Sequence, residues 1–367
     1  YFAFQVPVLR DIAYAVAGFA IEAWDYRFYA EKVRKAKYDI DDSEVKPYLQ
    51  LGKLLEAMFW ASGELYGLAF SKVGDVPVYH PDVTVYEVTR EGKRVGLHFF
   101  DPYARGGKSS GAWMNAYRTQ ERFREETTPI VSNNSNFVKA GAGQPVLISW
   151  DDASTLFHEF GHALHGLNSN VTYPTLAGTA VKRDFVEFPS QINEHWLPTP
   201  EVLSRFAIHA ETGAAMPEAL LKKIEAAKHF NQGFATVEYL ASAIYDMKIH
   251  VESASAEIDP AAFEKSALDE LGLPKEIVMR HRPTAFGHIF SGDGYSAGYY
   301  VYLWADALTA DAWELFAEKG AYDKATAKSF LDNVLSVGNS IAPDEAFRRF
   351  RGRDVDTGAL MRDRGFA

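Results

Sequence analysis

The sequence predicts a mainly α-helical fold with a small antiparallel sheet. Three observations carry this. Long stretches place apolar residues at three- and four-residue spacing, and a short central region switches to alternation. No repeat, heptad run or low-complexity linker divides the chain. The composition, 47% hydrophobic and 24% charged, is that of a globular protein with a sizeable core.

Two amphipathic helices are expected first, over 11–37 and 43–71, the second reading "SEVKPYLQLGKLLEAMFWASGELYGLAF". The run "IAYAVAGFAI" at 12–21 is too short to span a bilayer and continues into a charged helical pattern, so a buried helix is predicted rather than a membrane or signal segment. "VTVYEVTR" and "RVGLHFFD" alternate around an "EGK" turn and form a hairpin, and "PVLISW" at 145–150 is a third strand. From 152 onward the pattern is almost entirely helical, broken at "PTP", "AAMP", "EIDP", "GLP" and "SGDGYSAG". One unit over 1–367 is the expected organisation.

Composition also excludes classes. A formal net charge of −11 with no basic stripe argues against nucleic acid as a partner. No bilayer-spanning run argues against a membrane partner, and the absence of cysteine rules out disulfides and thiolate chemistry and favours a reducing, cytoplasmic location. The loop "DPYARGGKSSGAWMN" makes neither the phosphate-loop nor the dinucleotide pattern. The sequons at Asn133 and Asn170 carry little weight without a secretory signal.

The chemistry is concentrated in "STLFHEFGHALHGL", residues 154–167. On a helix His158 and His162 share a face one turn apart, so both imidazoles can reach one ion, while Glu159 points about 100° away and stands beside the metal as a base. The ordinary alternative is a chance HExxH on an exposed helix, which Leu156, Phe157, Phe160, Ala163 and Leu164 around the pair argue against. A catalytic zinc needs a third protein ligand and an open position. His165 and Asn168 stand where the metzincin pattern has glycine and histidine, and Glu159 to His162 is the only Glu-x-x-His pair, which excludes a di-iron carboxylate bundle. A carboxylate from "KRDFVEFPSQINEHW" remains. Asp184, Glu187 and Glu194 share a face near His195, and spacing alone does not choose among them. Tyr295, Tyr299 and Tyr302, at i, i+4 and i+7, are expected along one side of a helix beginning after Gly294; core packing is their ordinary role.

"FHEFGHALHGL", "GTAVKRDFVEFPSQINEHW" and "FGHIFSGDGYSAGYYVYLW" resemble, in order and spacing, the catalytic half of the thimet oligopeptidase and peptidyl-dipeptidase family of zinc peptidases. "AWDYRFYAEKVR", "VPVYHPDV", "GGKSSGAWM" and "LMRDRG" extend the likeness from about residue 18 to the end, and "SGAWM" and "GYSAGYY" are most like the bacterial peptidyl-dipeptidase branch. The resemblance implies a zincin-like helical catalytic unit whose sheet lines a deep substrate channel. It implies one zinc ion per chain on His158, His162 and Glu187, with Glu159 as general base. It also implies that His288, Tyr295, Tyr299 and Tyr302 hold the substrate and stabilise the oxyanion. "SGDGY" has two residues more than the oligopeptidase pattern, which makes Tyr295 the loosest match. The activity implied is removal of dipeptides from the C-termini of short peptides, with endo-acting cleavage as the alternative within the family. A non-catalytic peptide-binding relative would be expected to lose Glu159 or a ligand, and a structural zinc protein would close its site with four ligands. "RVGLHFFD" is a candidate edge for pairing with an extended peptide, a plain core hairpin being the alternative. The family's preceding helical half is expected to be missing, so a longer protein or a second subunit would complete the channel.

Overall fold

The computed structural model describes residues 19–252 and 257–367. Its principal helices are α1 (Ala23–Tyr38), α2 (Leu51–Tyr66), α3 (Trp150–Leu167), α4 (Phe188–Glu194), α5 (Gln232–Val251) and α6 (Val301–Lys319). Its strands are β1 (Leu68–Val73), β2 (Thr84–Arg90), β3 (Lys93–Tyr103), β4 (Trp113–Arg118) and β5 (Ile130–Phe137). The chain is mainly α with one small sheet, as the apolar spacing predicts. It forms two compact units. Of the described residues, the larger comprises Asp42–Pro217 and Ala305–Leu360, and the smaller comprises those up to Asp41, those of Glu218–Trp304, and Met361–Ala367.

In the larger unit the five strands run in the order β1-β2-β3-β5-β4. β2 and β3 form the expected hairpin, with Arg90 opposite Lys93 and a two-residue turn at Glu91 and Gly92. Both turn residues have positive φ, 50° and 74°, the backbone that matches the right-handed strand twist. The sheet is mixed, because β3 and β5 run parallel while the other pairs are antiparallel. β3 therefore lies inside the sheet, and β1 and β4 are its edges, which removes "RVGLHFFD" as an edge for a peptide.

Other expectations shift for local reasons. The helix expected over 43–71 begins properly at Leu51, after a turn that includes Pro47, and stops at Gly67, whose φ of 70° turns the chain into β1. "PVLISW" makes only an isolated bridge from Leu147 to Gln50 before α3 starts. Ser149 fixes that start. Its hydroxyl accepts the Asp152 N–H at 3.0 Å, and Asp152 accepts the Ser149 N–H at 3.1 Å. Of the helix expected over 11–37, Ala23–Tyr38 forms; residues 12–18 of the apolar run lie outside the described residues. Among the described residues no helix is long and apolar enough to cross a membrane.

The contact that positions the site lies between α3 and α4. A Cβ on Gly161 would fall 2.6 Å from the Pro189 carbonyl oxygen and 2.6 Å from the Ser190 Cα, so only glycine allows this approach. Asn193 seals it, its Nδ2 donating to the Phe157 carbonyl at 2.6 Å. Around it pack Phe157, Phe160, Phe185, Phe188 and Trp196, all fully buried.

In the smaller unit Tyr26, Tyr29 and Ala30 of α1 pack on Phe234 and Ile277, with Tyr26 and Phe234 stacked at 4.0 Å. A second cluster gathers Ala241 and Tyr245 of α5 with Met279, Phe286 and Ile289.

Gly161→Ala is expected to destabilise the chain by about 1–3 kcal/mol, the range for overpacking a close contact, and to weaken metal binding by separating α4 from α3. Denaturant unfolding and metal titration check this; an unchanged midpoint with unchanged affinity would show that the contact is not constraining.

Candidate metal centre

α3 is long enough to present His158 and His162 on successive turns, their ring centroids 5.0 Å apart. Glu187 arrives from the start of α4, where it is the N-cap residue and is buried. Its Oε2 stands 3.2 Å from Nε2 of His158 and 3.2 Å from Nε2 of His162. These three residues form the one group, among the described residues, whose ligand atoms converge as a metal site requires. The spacing fits an ion. Ligands held at roughly 2.0–2.1 Å in a tetrahedron lie about 3.3 Å from one another.

The other acids divide their roles. Glu194 accepts from Nδ1 of His158 at 2.8 Å and from the Ser154 hydroxyl at 2.9 Å, which fixes the ring and leaves Nε2 to face Glu187. Asp184 is outside the ligand group, and its Oδ1 is buried without a hydrogen-bond partner. His195 stacks on Trp313 at 4.9 Å, away from the ligand group. The Ser190 hydroxyl donates to the Glu187 carbonyl at 2.8 Å and lies 3.2 Å from its Oε2, holding the carboxylate at the helix start.

Electrostatics reflects this crowding. Burial opposes charge on Glu187, yet the hydrogen bonds from His158 and His162 hold its carboxyl well below the usual range. Burial also opposes charge on His158, but Glu187 and Glu194 raise its imidazole well above the ordinary value. The buried carboxylates and imidazoles thus depend on one another for their charged forms.

Glu159 is buried beside them. Burial pushes its carboxyl up, the neighbouring His162 and His158 pull it down, and a hydrogen bond from the Met114 backbone on β4 steadies the charged form. Its Oε2 is buried without a partner, an acceptor aimed at no protein donor. The Glu159 carbonyl is held by Nδ2 of Asn133 at 2.5 Å, and Oδ1 of Asn133 bonds Nε2 of His98 at 2.8 Å. Burial lowers His98 to about 4, so its ring stays neutral. Asn133, Asn193, Ser154 and the Met114 amide all escape a reading of the sequence. The buried run "IVSNNSNF" is the signal that β5 does more than pack.

In the smaller unit His288, Tyr295, Tyr299 and Tyr302 come together, but not along one helix. α6 begins only at Val301, and residues 295–300 form turns containing Ala297 at a φ of 50°. The rings nevertheless meet. Tyr295 stacks on Tyr302 at 5.5 Å, Tyr299 meets Tyr302 at 5.4 Å, and His288 lies 5.7 Å from Tyr299 and 6.5 Å from Tyr302. Burial raises the Tyr299 phenol, keeping it a donor.

The sequence matches peptidase family M3 over residues 6–366. It is 43% identical to dipeptidyl carboxypeptidase of Escherichia coli (strain K12) over 353 residues, 95% of this chain and 51% of the relative. It is 37% identical to oligopeptidase A of the same organism over 373 residues, 98% of this chain and 54% of the relative. The chain therefore spans about half the length of the curated relatives it matches. A solved structure titled "BsuCP Crystal Structure" aligns with a TM-score of 0.50 at 12% identity, covering 91% of this chain and 62% of that one, a likeness of fold alone. The convergent His-His-Glu group and the match across nearly the whole sequence lead to one conclusion: the chain belongs to peptidase family M3.

Proposed function

We propose that this chain is the catalytic part of a zinc-dependent peptidase that removes dipeptides from the C-termini of short peptides. The observation that carries the proposal is the convergence of His158, His162 and Glu187 with Glu159 buried beside them. Two imidazoles and a carboxylate are a donor set suited to a catalytic zinc with an open position. When bound, zinc supplies Lewis acidity, activating water and polarising the scissile carbonyl.

The side chains do the rest. Glu159 accepts the proton of the attacking water at its unpaired Oε2 and passes it to the leaving amine nitrogen. Glu194 and Ser154 keep the His158 ring fixed. Tyr302, with Tyr299 and His288, is assigned the donation of hydrogen bonds to the tetrahedral oxyanion, and Tyr295 the holding of substrate. Their clustering in the smaller unit and their match to the family support that assignment. The exposed edge β4, whose Met114 amide already steadies Glu159, replaces β3 as the strand proposed to pair with an extended peptide.

The preference for dipeptide release rests on the 43% identity to dipeptidyl carboxypeptidase. The 37% identity to oligopeptidase A favours endo-acting cleavage as the second reading. A further segment or second chain that narrows access to the site is part of the proposal. It is supported by the length of the relatives and by Trp24 and Phe28, exposed on α1. A cytoplasmic location is supported by the absence of cysteine.

Zinc content, measured by plasma mass spectrometry, is expected to be near one per chain and to collapse in His158→Ala, His162→Ala and Glu187→Ala. Glu159→Gln is expected to keep the metal and lose turnover by roughly 10² to 10⁴, the contribution of a general base. Metal loss in Glu159→Gln would mean that base and ligand have been confused. Glu194→Ala is expected to weaken zinc affinity by about 10- to 100-fold in a chelator competition; unchanged affinity would remove Glu194 from the site. Tyr302→Phe is expected to lower kcat by roughly 10² to 10³ with KM little changed, and an unchanged kcat would return Tyr302 to packing. Digestion of one peptide, free and C-terminally amidated, separates the two specificities. Dipeptide release only from the free peptide supports the first reading, and equal internal cleavage of both supports the second.

A further inference from the structure

The non-helical segment that carries the tyrosines is tied to one face of α5. Asp246, in the C-terminal part of that helix, is fully buried. Its Oδ1 accepts the Ala297 N–H at 3.0 Å, and its Oδ2 accepts the Tyr299 N–H at 2.8 Å. Tyr239 lies two turns earlier on the same face of α5. Its hydroxyl donates to the Tyr299 carbonyl and accepts the Leu303 N–H at 3.3 Å, and its ring stacks on Tyr299 at 5.4 Å. Two side chains of one helix thus hold four backbone groups spanning residues 297–303.

That hold is needed. Ala297 has a φ of 50°, a left-handed backbone that alanine does not favour by itself. The left-handed turn at Ala297 breaks from the helix that starts at Val301, so the three tyrosines gather as a ring cluster rather than along one helix side. The apolar packing of Tyr295 and Tyr299 on Ala241, Tyr245, Phe286 and Ile289 is non-directional, whereas a carboxylate with both oxygens engaged sets the position of each amide. The burial of Asp246 is balanced by His250, whose Nδ1 lies 2.8 Å from Oδ1 and 2.9 Å from the Asp246 carbonyl.

We propose that Asp246, assisted by Tyr239, is a positioning residue for the tyrosine group: it clamps the 297–303 backbone so that Tyr299 and Tyr302 keep the geometry of hydrogen-bond donors. The kinetic consequence rests on the peptidase reading; the clamp itself does not.

The test uses the full chain loaded with zinc. In Asp246→Asn, hydrogen exchange followed by mass spectrometry or NMR is expected to show loss of protection at Ala297 and Tyr299, with the amides of α3 unchanged. kcat is expected to fall by about 10²-fold, the scale for displacing a catalytic group by an ångström, with KM little altered. Tyr302→Phe is expected to cost only a few-fold in that background, against roughly 10² to 10³ in the parent, because a hydroxyl no longer aimed has little left to lose. A merely structural role would lower the folded fraction and leave that ratio intact, so full additivity overturns the proposal. If Tyr302→Phe is silent in the parent chain, the oxyanion reading fails and exchange alone decides: lost protection at Ala297 and Tyr299 upholds the clamp, and unchanged protection overturns it. Should Asp246→Asn not fold, Tyr239→Phe keeps the ring and removes the hydroxyl that holds the Tyr299 carbonyl and the Leu303 N–H; lost protection is then expected at Leu303, with the kinetics read as before, and unchanged protection there overturns the clamp.

Discussion

The metal centre depends on how closely two helix backbones approach. At Gly161 there is no side chain, and the Pro189 carbonyl and the Ser190 Cα occupy the space a Cβ would fill. That contact brings the start of α4 against the middle of α3, and Glu187, the first residue of the approach, is thereby delivered to His158 and His162. Asn193 and Glu194, one to two turns further on, reach back to the Phe157 carbonyl and the His158 ring. Ligand, orienting carboxylate and helix seal are therefore consequences of a single packing decision. A larger residue at 161 would disturb all of them together, because packed interiors have no slack in which to absorb a methyl group.

Closeness also creates the electrostatic problem that the site exploits. Two histidines and two glutamates are buried or half-buried within hydrogen-bond distance, where isolated charges are costly. The carboxylates are stabilised by the imidazoles that face them and by the Ser154 and Ser190 hydroxyls, and a divalent cation can take the place of protons on the ring nitrogens. Glu159 differs from Glu187 in just this respect. Both are buried, but Glu187 has partners on its carboxylate whereas Oε2 of Glu159 has none. The same residue type is thus proposed as a ligand in one place and as a base in the other.

Much of this was legible in the sequence, and what was not follows a pattern. The histidine pair and Glu159 follow from helical periodicity, which is local. The choice of Glu187 over Asp184 and Glu194 is not local, since it is set by the backbone contact at Gly161; only the resemblance to a family supplied it. β5 escaped because its Ser132, Asn133, Asn134 and Ser135 look like a loop, yet they are buried and Asn133 braces both His98 and α3. The spacing of the tyrosines predicts a helix, although Gly294 and Gly298 beside them are poor helix formers. A carboxylate far away in the chain, Asp246, holds it in turns instead. In each case a tertiary hydrogen bond or a close contact overrode a local preference, and in each case the override lies in or beside a functional group of side chains.

The central claim is that one metal ion is held by His158, His162 and Glu187. Crystals of the chain purified with zinc, with data collected on both sides of the zinc absorption edge, address it directly. The expected result is a single anomalous peak at roughly 2.0–2.2 Å from Nε2 of His158, Nε2 of His162 and a carboxylate oxygen of Glu187, with Glu159 beside it and unbound. A peak at other residues, or one in which Glu159 or Glu194 replaces Glu187 as ligand, would contradict it.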